Sequence, residues 1–350
     1  CEGAGGQGDF FPCPPAVSFE VPMPAYVPED ARRVMPDPLR DFATEVLRKV
    51  DLPDGDAALI AGYLVDVDLR GIATHGTRQL RRYVREFREG RVNPRPEITQ
   101  VMDAPSMAVF DGDGGAGYLV ATKATEVVIG KANATGIAVV STRNHGHVGS
   151  EGIYARMALA HDLATFSVAG GIAWEKPKRE DATVWDAMYA PPMCFGIPTA
   201  EDPPFVLDMN ANMLKDRTKL AEALQTFPDF IFKSLGMRFT SWLLSGILAG
   251  TATPESRSPV FSSASRGFMI VAIDVARLGD LEAYKNEVSR ILRESRSLKP
   301  LPGLASAEVP GSLEWGREQE RKQNGIPLAE EHMEMLQRIA EELNISVPWE

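Results

Sequence analysis

Cysteine is scarce in this chain. Only Cys1, Cys13 and Cys194 occur among 350 residues, an odd and sparse set that provides no disulfide framework and points to a reducing compartment. Basic charge is short too: 37 Lys and Arg stand against 48 Asp and Glu, a net charge of -11. A nucleic-acid partner needs a concentrated basic face, so none is expected. The one local basic run, Arg78, Arg81, Arg82, Arg85 and Arg88, is interleaved with Glu86 and Glu89 and reads as a solvated helix face. Long apolar runs are missing as well. The stretch from Trp242 to Ala249 is diluted by Ser and Gly and falls short of the about 20 apolar residues that cross a bilayer. No secretory leader is apparent. These absences set the expectation of a cytoplasmic protein with no membrane contact.

What remains is enough chain to bury a large core in about two lobes. Residues 1–35 are Gly- and Pro-rich without periodicity and are expected to form a flexible arm. Residues 36–110 begin with helical patterns, the first carrying Leu39, Phe42, Val46 and Leu47 on one face, and end in two short strand candidates, Ile98–Met102 and Ser106–Phe110. Residues 111–275 alternate strand and helix signals, with strands expected at Gly136–Thr142, Ala164–Val168, Pro203–Asp208 and Phe268–Ile273. That alternation indicates an α/β layer around a largely buried sheet. Trp174 to Asp202 reads as a long irregular loop. Residues 276–350 end in two amphipathic helices, near Leu313–Gln323 and Ala329–Leu343.

His75 draws attention first. It stands at a Gly-flanked junction between two helical patterns, where a side chain is held by rigid elements yet can face a cavity. Its unperturbed pKa near neutrality lets it give and take a proton; the plainer reading is a histidine that caps or packs a helix start. Asn144-His145-Gly146-His147 follows a strand and precedes a helix, a common place for ligands in α/β proteins. No second metal-binding pattern accompanies these histidines, so no metal site is expected. His161 and His332 read as surface residues. Lys233, beside Phe232 in an apolar stretch, suits either an anionic ligand or a snorkelling surface position. Gly112, Gly114 and Gly117 spell a dinucleotide fingerprint between a strand and a helix. The acidic residue that should follow about 20 positions on is replaced by Arg143. An ordinary tight turn is the preferred reading, with a Rossmann-type dehydrogenase as the alternative.

Several stretches occur in an order that resembles one family. They are Asp68-Leu-Arg-Gly-Ile-Ala-Thr-His-Gly76, Arg81-Arg-Tyr83, Gly90-Arg-Val-Asn-Pro94 and Arg143-Asn-His-Gly-His-Val-Gly149. Further on come Phe205-Val-Leu-Asp-Met209, Phe232-Lys233, Val309-Pro-Gly311 and Gly325-Ile-Pro-Leu328. Over about residues 36 to 345 the chain resembles the malate/L-lactate dehydrogenase family, which includes L-sulfolactate dehydrogenase, ureidoglycolate dehydrogenase, diketogulonate reductase and cyclic-imine reductases. The resemblance implies an L-sulfolactate dehydrogenase-like α/β fold. Its cofactor domain has a mixed sheet and is not Rossmann, and its helical N- and C-terminal segments pack together. It implies a homodimer that passes a hydride between NAD or NADP and a small 2-hydroxy or 2-oxo acid. His75 matches the histidine that moves the substrate proton, His147 the second active-site histidine, and Tyr83 a substrate-side hydroxyl. Pro204, Phe205, Val206, Leu207, Asp208, Met209, Asn210, Phe232, Lys233, Gly311, Ser312 and Leu313 match stretches that contact the cofactor.

Some positions depart from that pattern. Thr74 replaces the usual Ser, keeping a hydroxyl. Gln79 stands where many members carry an arginine able to clamp a carboxylate, and Gln lacks the charged fork. Arg78 and Arg82 follow His75 by three and seven positions, which on one helix would put them on the same side; either is expected to take the clamp role, unless the substrate is not a simple carboxylate. Gly170-Gly171 stands where an Asn-Ser pair is usual, and Pro191–Pro198 replaces a Thr-Asn-Pro loop. A member of the fold that binds nucleotide or serves as a scaffold without catalysis is the competing reading.

Overall fold

The structure is a computed structural model that describes residues 31–349 apart from 172, 173, 175, 190 and 251–259. The arm expected at 1–35 therefore lies almost wholly outside the described residues, save for the short strand β1 (Arg32–Val34).

Three helices follow. Helix α1 (Pro36–Arg48) starts on proline, whose missing N–H costs nothing in a first turn, and buries Leu39, Phe42, Val46 and Leu47. Helix α2 (Asp54–Leu69) and helix α3 (Leu80–Arg88) complete the group. Seven strands then build one sheet: β2 (Thr99–Ala104), β3 (Met107–Gly115), β4 (Ile137–His145), β5 (Leu163–Gly170), β6 (Pro192–Ile197), β7 (Phe205–Asn210) and β8 (Arg266–Asp274), in the order β2-β3-β4-β8-β5-β6-β7. Only β3 and β4 run parallel, joined across helix α4 (Gly117–Thr135); every other neighbouring pair is antiparallel. The sheet is thus mixed, not doubly wound, and the Rossmann-type alternative has no frame to sit in.

Side-chain alternation decides which layer covers each face. Phe268, Ile270 and Ala272 of β8 join the core shared with α4 and the N-terminal helices, while Met269 and Val271 pack with Met237 and Leu244 on the opposite side. Met237 belongs to helix α7 (Pro228–Trp242), which follows the short helix α6 (Leu220–Thr226). Helix α5 (Gly152–Leu159) bridges β4 and β5. Helices α8 (Leu281–Arg296) and α9 (Ser312–Asn324), strand β9 (Ile326–Leu328) and helix α10 (Glu330–Leu343) close the chain. Strand β9 pairs antiparallel with β1, and α10 buries Leu336, Ile339, Ala340 and Leu343 in the core of α1–α3. Both ends of the described chain therefore pack together. No helix among the described residues is long and apolar enough to cross a membrane.

The sheet begins at Thr99, where short strands are expected at Ile98–Met102 and Ser106–Phe110. Strand β6 runs through the region expected to be irregular: its proline opens the strand, where a missing donor is tolerated, and Cys194 is buried between β5 and β7. Gly112 lies inside β3, not in a turn. A Cβ there would come within 2.8 Å of Val120 and 2.9 Å of the Asn144 carbonyl, so the residue permits close packing of β3 on α4 and β4.

Candidate active site

The turn that carries His75 is shaped by one buried carboxylate. Asp68, in the last turn of α2, accepts hydrogen bonds from the Thr77 N–H at 2.9 Å and the Thr77 hydroxyl at 2.5 Å. The Thr77 hydroxyl also lies 3.1 Å from Nε2 of His332 on α10. His332, expected at the surface, is buried by this contact, because α10 packs across the turn. Burial raises the Asp68 carboxyl to about 6 against the opposing Thr77 bonds, and burial lowers His332 to about 4. A Cβ on Gly76 would lie 1.8 Å from Asp68 Oδ1, so only glycine fits between His75 and Thr77.

His147 comes from the loop after β4. The Gly146 N–H donates to the Gly115 carbonyl at 2.8 Å, and a Cβ on Gly117 would stand 2.4 Å from the Gly146 carbonyl. Glycines in and beside the fingerprint-like stretch thus back the His147 loop. The imidazoles of His75 and His147 stack with centroids 5.4 Å apart. Tyr83 Oη lies 2.8 Å from His147 Nδ1 and 3.2 Å from the Tyr118 hydroxyl, and Thr74 Oγ1 lies 2.9 Å from His75 Nδ1. Burial pushes the Tyr83 phenol up to about 12 and Tyr118 well above its ordinary value. His147 is pushed well below its ordinary value by burial, then by Arg266, His75 and Arg82. His75 is lowered by burial, partly offset by Asp208. Both imidazoles are therefore neutral near pH 7, backed by protonated phenols.

The pair lines a cavity of about 570 Å³ with Thr74, Ser150, Gly170, Asp208, Trp242 and Arg266. Past Ile72 and Asp208 the wall continues into a recess of about 240 Å³ bounded by Val206, Leu207, Gly311 and Leu313. Past Arg156, Val206 and Gly311 it continues into a third of about 500 Å³ that includes Pro204 and Trp315. The groove so formed follows β7, roughly 20 Å at about 3.3 Å per residue, long enough for two nucleotides end to end. Gly311 has φ +92°, and a Cβ there would press to 2.7 Å from the Pro204 carbonyl, so the turn before α9 lies directly on the start of β7. Arg156 walls the second and third recesses, its guanidinium lowered to about 10 by burial. A largely buried cation facing an elongated groove suits the diphosphate of a dinucleotide.

Of the residues expected at the cofactor, Pro204, Val206, Leu207, Asp208, Met209, Asn210, Gly311 and Leu313 line this groove. Phe205 is not among its lining residues. Ser312 instead donates to the carbonyl of Val309 at 2.8 Å, and Phe232 and Lys233 are exposed on α7. Of the residues expected at the substrate, Thr74 lines the cavity and Tyr83 stands behind His147. Arg78 and Arg82 are a correction. Thr77–Gln79 forms a tight 3₁₀ turn before α3, so helical spacing from His75 does not apply. Arg78 pairs with Glu331 at 3.2 Å and Arg82 with Glu86 at 2.8 Å, and both line a separate outer groove. Gln79 lines that groove too, and its amide donates to the Thr74 carbonyl at 2.6 Å, bracing the His75 turn. Sequence reasoning missed Arg266, Trp242, Ser150 and the Asp68–Thr77–His332 link. For Arg266 the available signal was a basic residue immediately before an apolar strand.

Malate dehydrogenase from Pyrococcus horikoshii is 29% identical to this chain over 91% of its length and 98% of the relative's. A solved structure of that organism's malate dehydrogenase superposes with a TM-score of 0.79 at 27% identity, covering 92% of this chain and 99% of the other. L-sulfolactate dehydrogenase from Methanocaldococcus jannaschii is 27% identical over 89% of this chain and 97% of its own. Fold and site together define a hydroxy-acid oxidoreductase. More narrowly, the chain belongs to the malate/L-lactate dehydrogenase family, whose model matches residues 34–226 and 210–337.

Proposed function

We propose that the protein moves a hydride between a nicotinamide dinucleotide, NAD or NADP, and a small 2-hydroxy or 2-oxo acid. The observation that carries this reading is the stacked neutral pair His75 and His147 at the end of a groove long enough for a dinucleotide. One relative, the ureidoglycolate dehydrogenase of Escherichia coli O157:H7, bears NAD(+) in its name. A homodimer in the cytoplasm is part of the proposal and rests on the family resemblance and the scarcity of cysteine.

The nicotinamide, when bound, supplies or takes up the hydride. The groove along β7 and Arg156 would hold the dinucleotide, leaving the reacting end beside His75. In oxidation, neutral His75 takes the hydroxyl proton; in reduction, the imidazolium returns it to the carbonyl oxygen. Thr74 fixes the ring through Nδ1, so Nε2 is the proton-carrying atom. Tyr83, donating to His147 Nδ1, leaves the His147 Nε2–H free to donate a hydrogen bond to the substrate oxygen. A panel of 2-oxo acids with NADH and NADPH tests the reading: one or more acids should oxidise the cofactor, and a panel with no turnover and no nucleotide binding would end it.

Two further outcomes follow from the same geometry. Tyr83→Phe removes the donor that orients His147 and should lower kcat/KM by about tenfold, with little change in cofactor affinity; unchanged kcat/KM would remove the role. The pH profile follows from the lowered His75. Oxidation needs the neutral ring, so its kcat/KM should rise with pH through a value below 6.5 and then level. Reduction needs the protonated ring and should fall through the same value. A controlling pKa above 6.5 would contradict the burial argument.

A further inference from the structure

We infer that Arg266 is the residue that clamps the substrate's carboxylate, and so the residue that restricts this site to acids. The inference rests on the hydride-transfer reading for its substrate class and on separate geometry for the residue. Arg266 opens β8 directly opposite His145 on β4, two residues before His147. Arg266 lines the same cavity as both active-site histidines. Its charge is felt by His147 and by Tyr83. The backbone beside it is fixed: a Cβ on Gly267 would lie 2.2 Å from Gly246 Cα and 2.5 Å from the Thr142 carbonyl.

Among the described residues this cation has no acid of its own: no carboxylate comes within ion-pair distance of it. Glu86, the acid whose charge it feels, is held by Arg82 at 2.8 Å. A largely buried guanidinium without a direct counter-ion is costly unless an anion arrives. The competing arginines are engaged elsewhere, Arg78 with Glu331 and Arg82 with Glu86, and neither lines the cavity. The residue at position 79 is spent on the Thr74 carbonyl. Arg266 presents a planar fork that matches a carboxylate in two parallel hydrogen bonds. Both imidazoles line the same cavity, so a carboxylate held by Arg266 would sit in the space that they share. The other cation of the cavity, Lys215, is exposed at the rim.

The test uses the full-length protein with its nicotinamide cofactor bound. Oxalate, an unreactive small acid, is titrated by calorimetry into wild type, Arg266→Gln and Arg266→Lys. Arg266→Gln should weaken oxalate by on the order of 100-fold and Arg266→Lys by about tenfold, with cofactor affinity unchanged. In turnover, Arg266→Gln should lose a similar factor on the preferred 2-oxo acid but less than about threefold on the matching neutral 2-oxo amide. Guanidinium added to Arg266→Ala should restore part of the acid activity, which a folding defect would not allow. Equal losses on acid and amide, unchanged oxalate binding, or a loss carried by Arg82→Ala in place of Arg266→Gln would overturn the assignment. If wild type reduces no 2-oxo acid but Arg266→Gln still loses oxalate, the clamp stands and the hydride-transfer reading falls. If wild type turns over and Arg266→Gln binds oxalate unaltered, hydride transfer stands and the clamp falls.

Discussion

His75→Ala should lower kcat/KM for a 2-oxo acid by about 1000-fold, the middle-to-upper range for losing a positioned acid–base group. Nicotinamide affinity should hardly change, because His75 lies at one end of the groove, away from the recesses walled by Arg156 and Gly311. The residual rate should lose the pH step assigned to the ring. His147→Ala should cost less, since in the proposed reaction its proton is only offered as a hydrogen bond and the ring stays neutral. Steady-state kinetics with a parallel fluorescence titration of reduced cofactor separates the effects. A His75→Ala enzyme within about tenfold of wild type would remove this histidine from the chemistry. So would a variant that fails only because it no longer binds nucleotide.

Gly76→Ala should damage stability and rate together. The added carbon would meet Asp68 Oδ1 at 1.8 Å and Cγ at 2.3 Å. Asp68 cannot step aside, because its other oxygen receives both bonds from Thr77 and its own carbonyl accepts from Arg321 at 2.6 Å. The turn must therefore move, and His75 moves with it. Overpacking of this kind costs about 3 kcal/mol, and a displacement of about 1 Å costs on the order of 100-fold in kcat. Gly62→Ala is the matching control. It lies within α2 with nothing inside 4 Å of a new Cβ, so it should stabilise by about 0.5–1 kcal/mol through helix propensity and leave the rate alone. Melting curves and kinetics on both variants decide the matter; a Gly76→Ala protein as stable and active as wild type would show that the Asp68 contact does not hold the turn.

Much of the architecture is legible in the sequence because it is local. The stripe Leu39, Phe42, Val46 and Leu47 dictates α1, and the apolar run Ile137–Val140 dictates a buried strand. His75 and His147 stand out because glycines flank them, and several of the glycines around them are close-packing positions. The direction of Arg78 and Arg82 is not legible. Helical spacing does not carry across Thr77–Gln79, where the chain makes a tighter turn. Arg266 is hidden for another reason: it reaches the site by pairing opposite His145, and no local pattern announces a cross-strand neighbour so far along the chain. His332 shares that difficulty, since its amphipathic helix gives no sign that the turn carrying His75 is its target. The strands β1 and β9 are three residues each, too short for a period of two to register.

The hydrogen bond between Thr77 and His332 ties helix α10 to the turn that carries His75. A protease that nicks the chain ahead of α10 would spare every residue that lines the His75–His147 cavity, yet it would release the peg beneath the turn that aims the His75 ring. Cleavage at that distance would then silence the enzyme much as a direct lesion does, and a bulky fusion at the C-terminal end carries the same hazard.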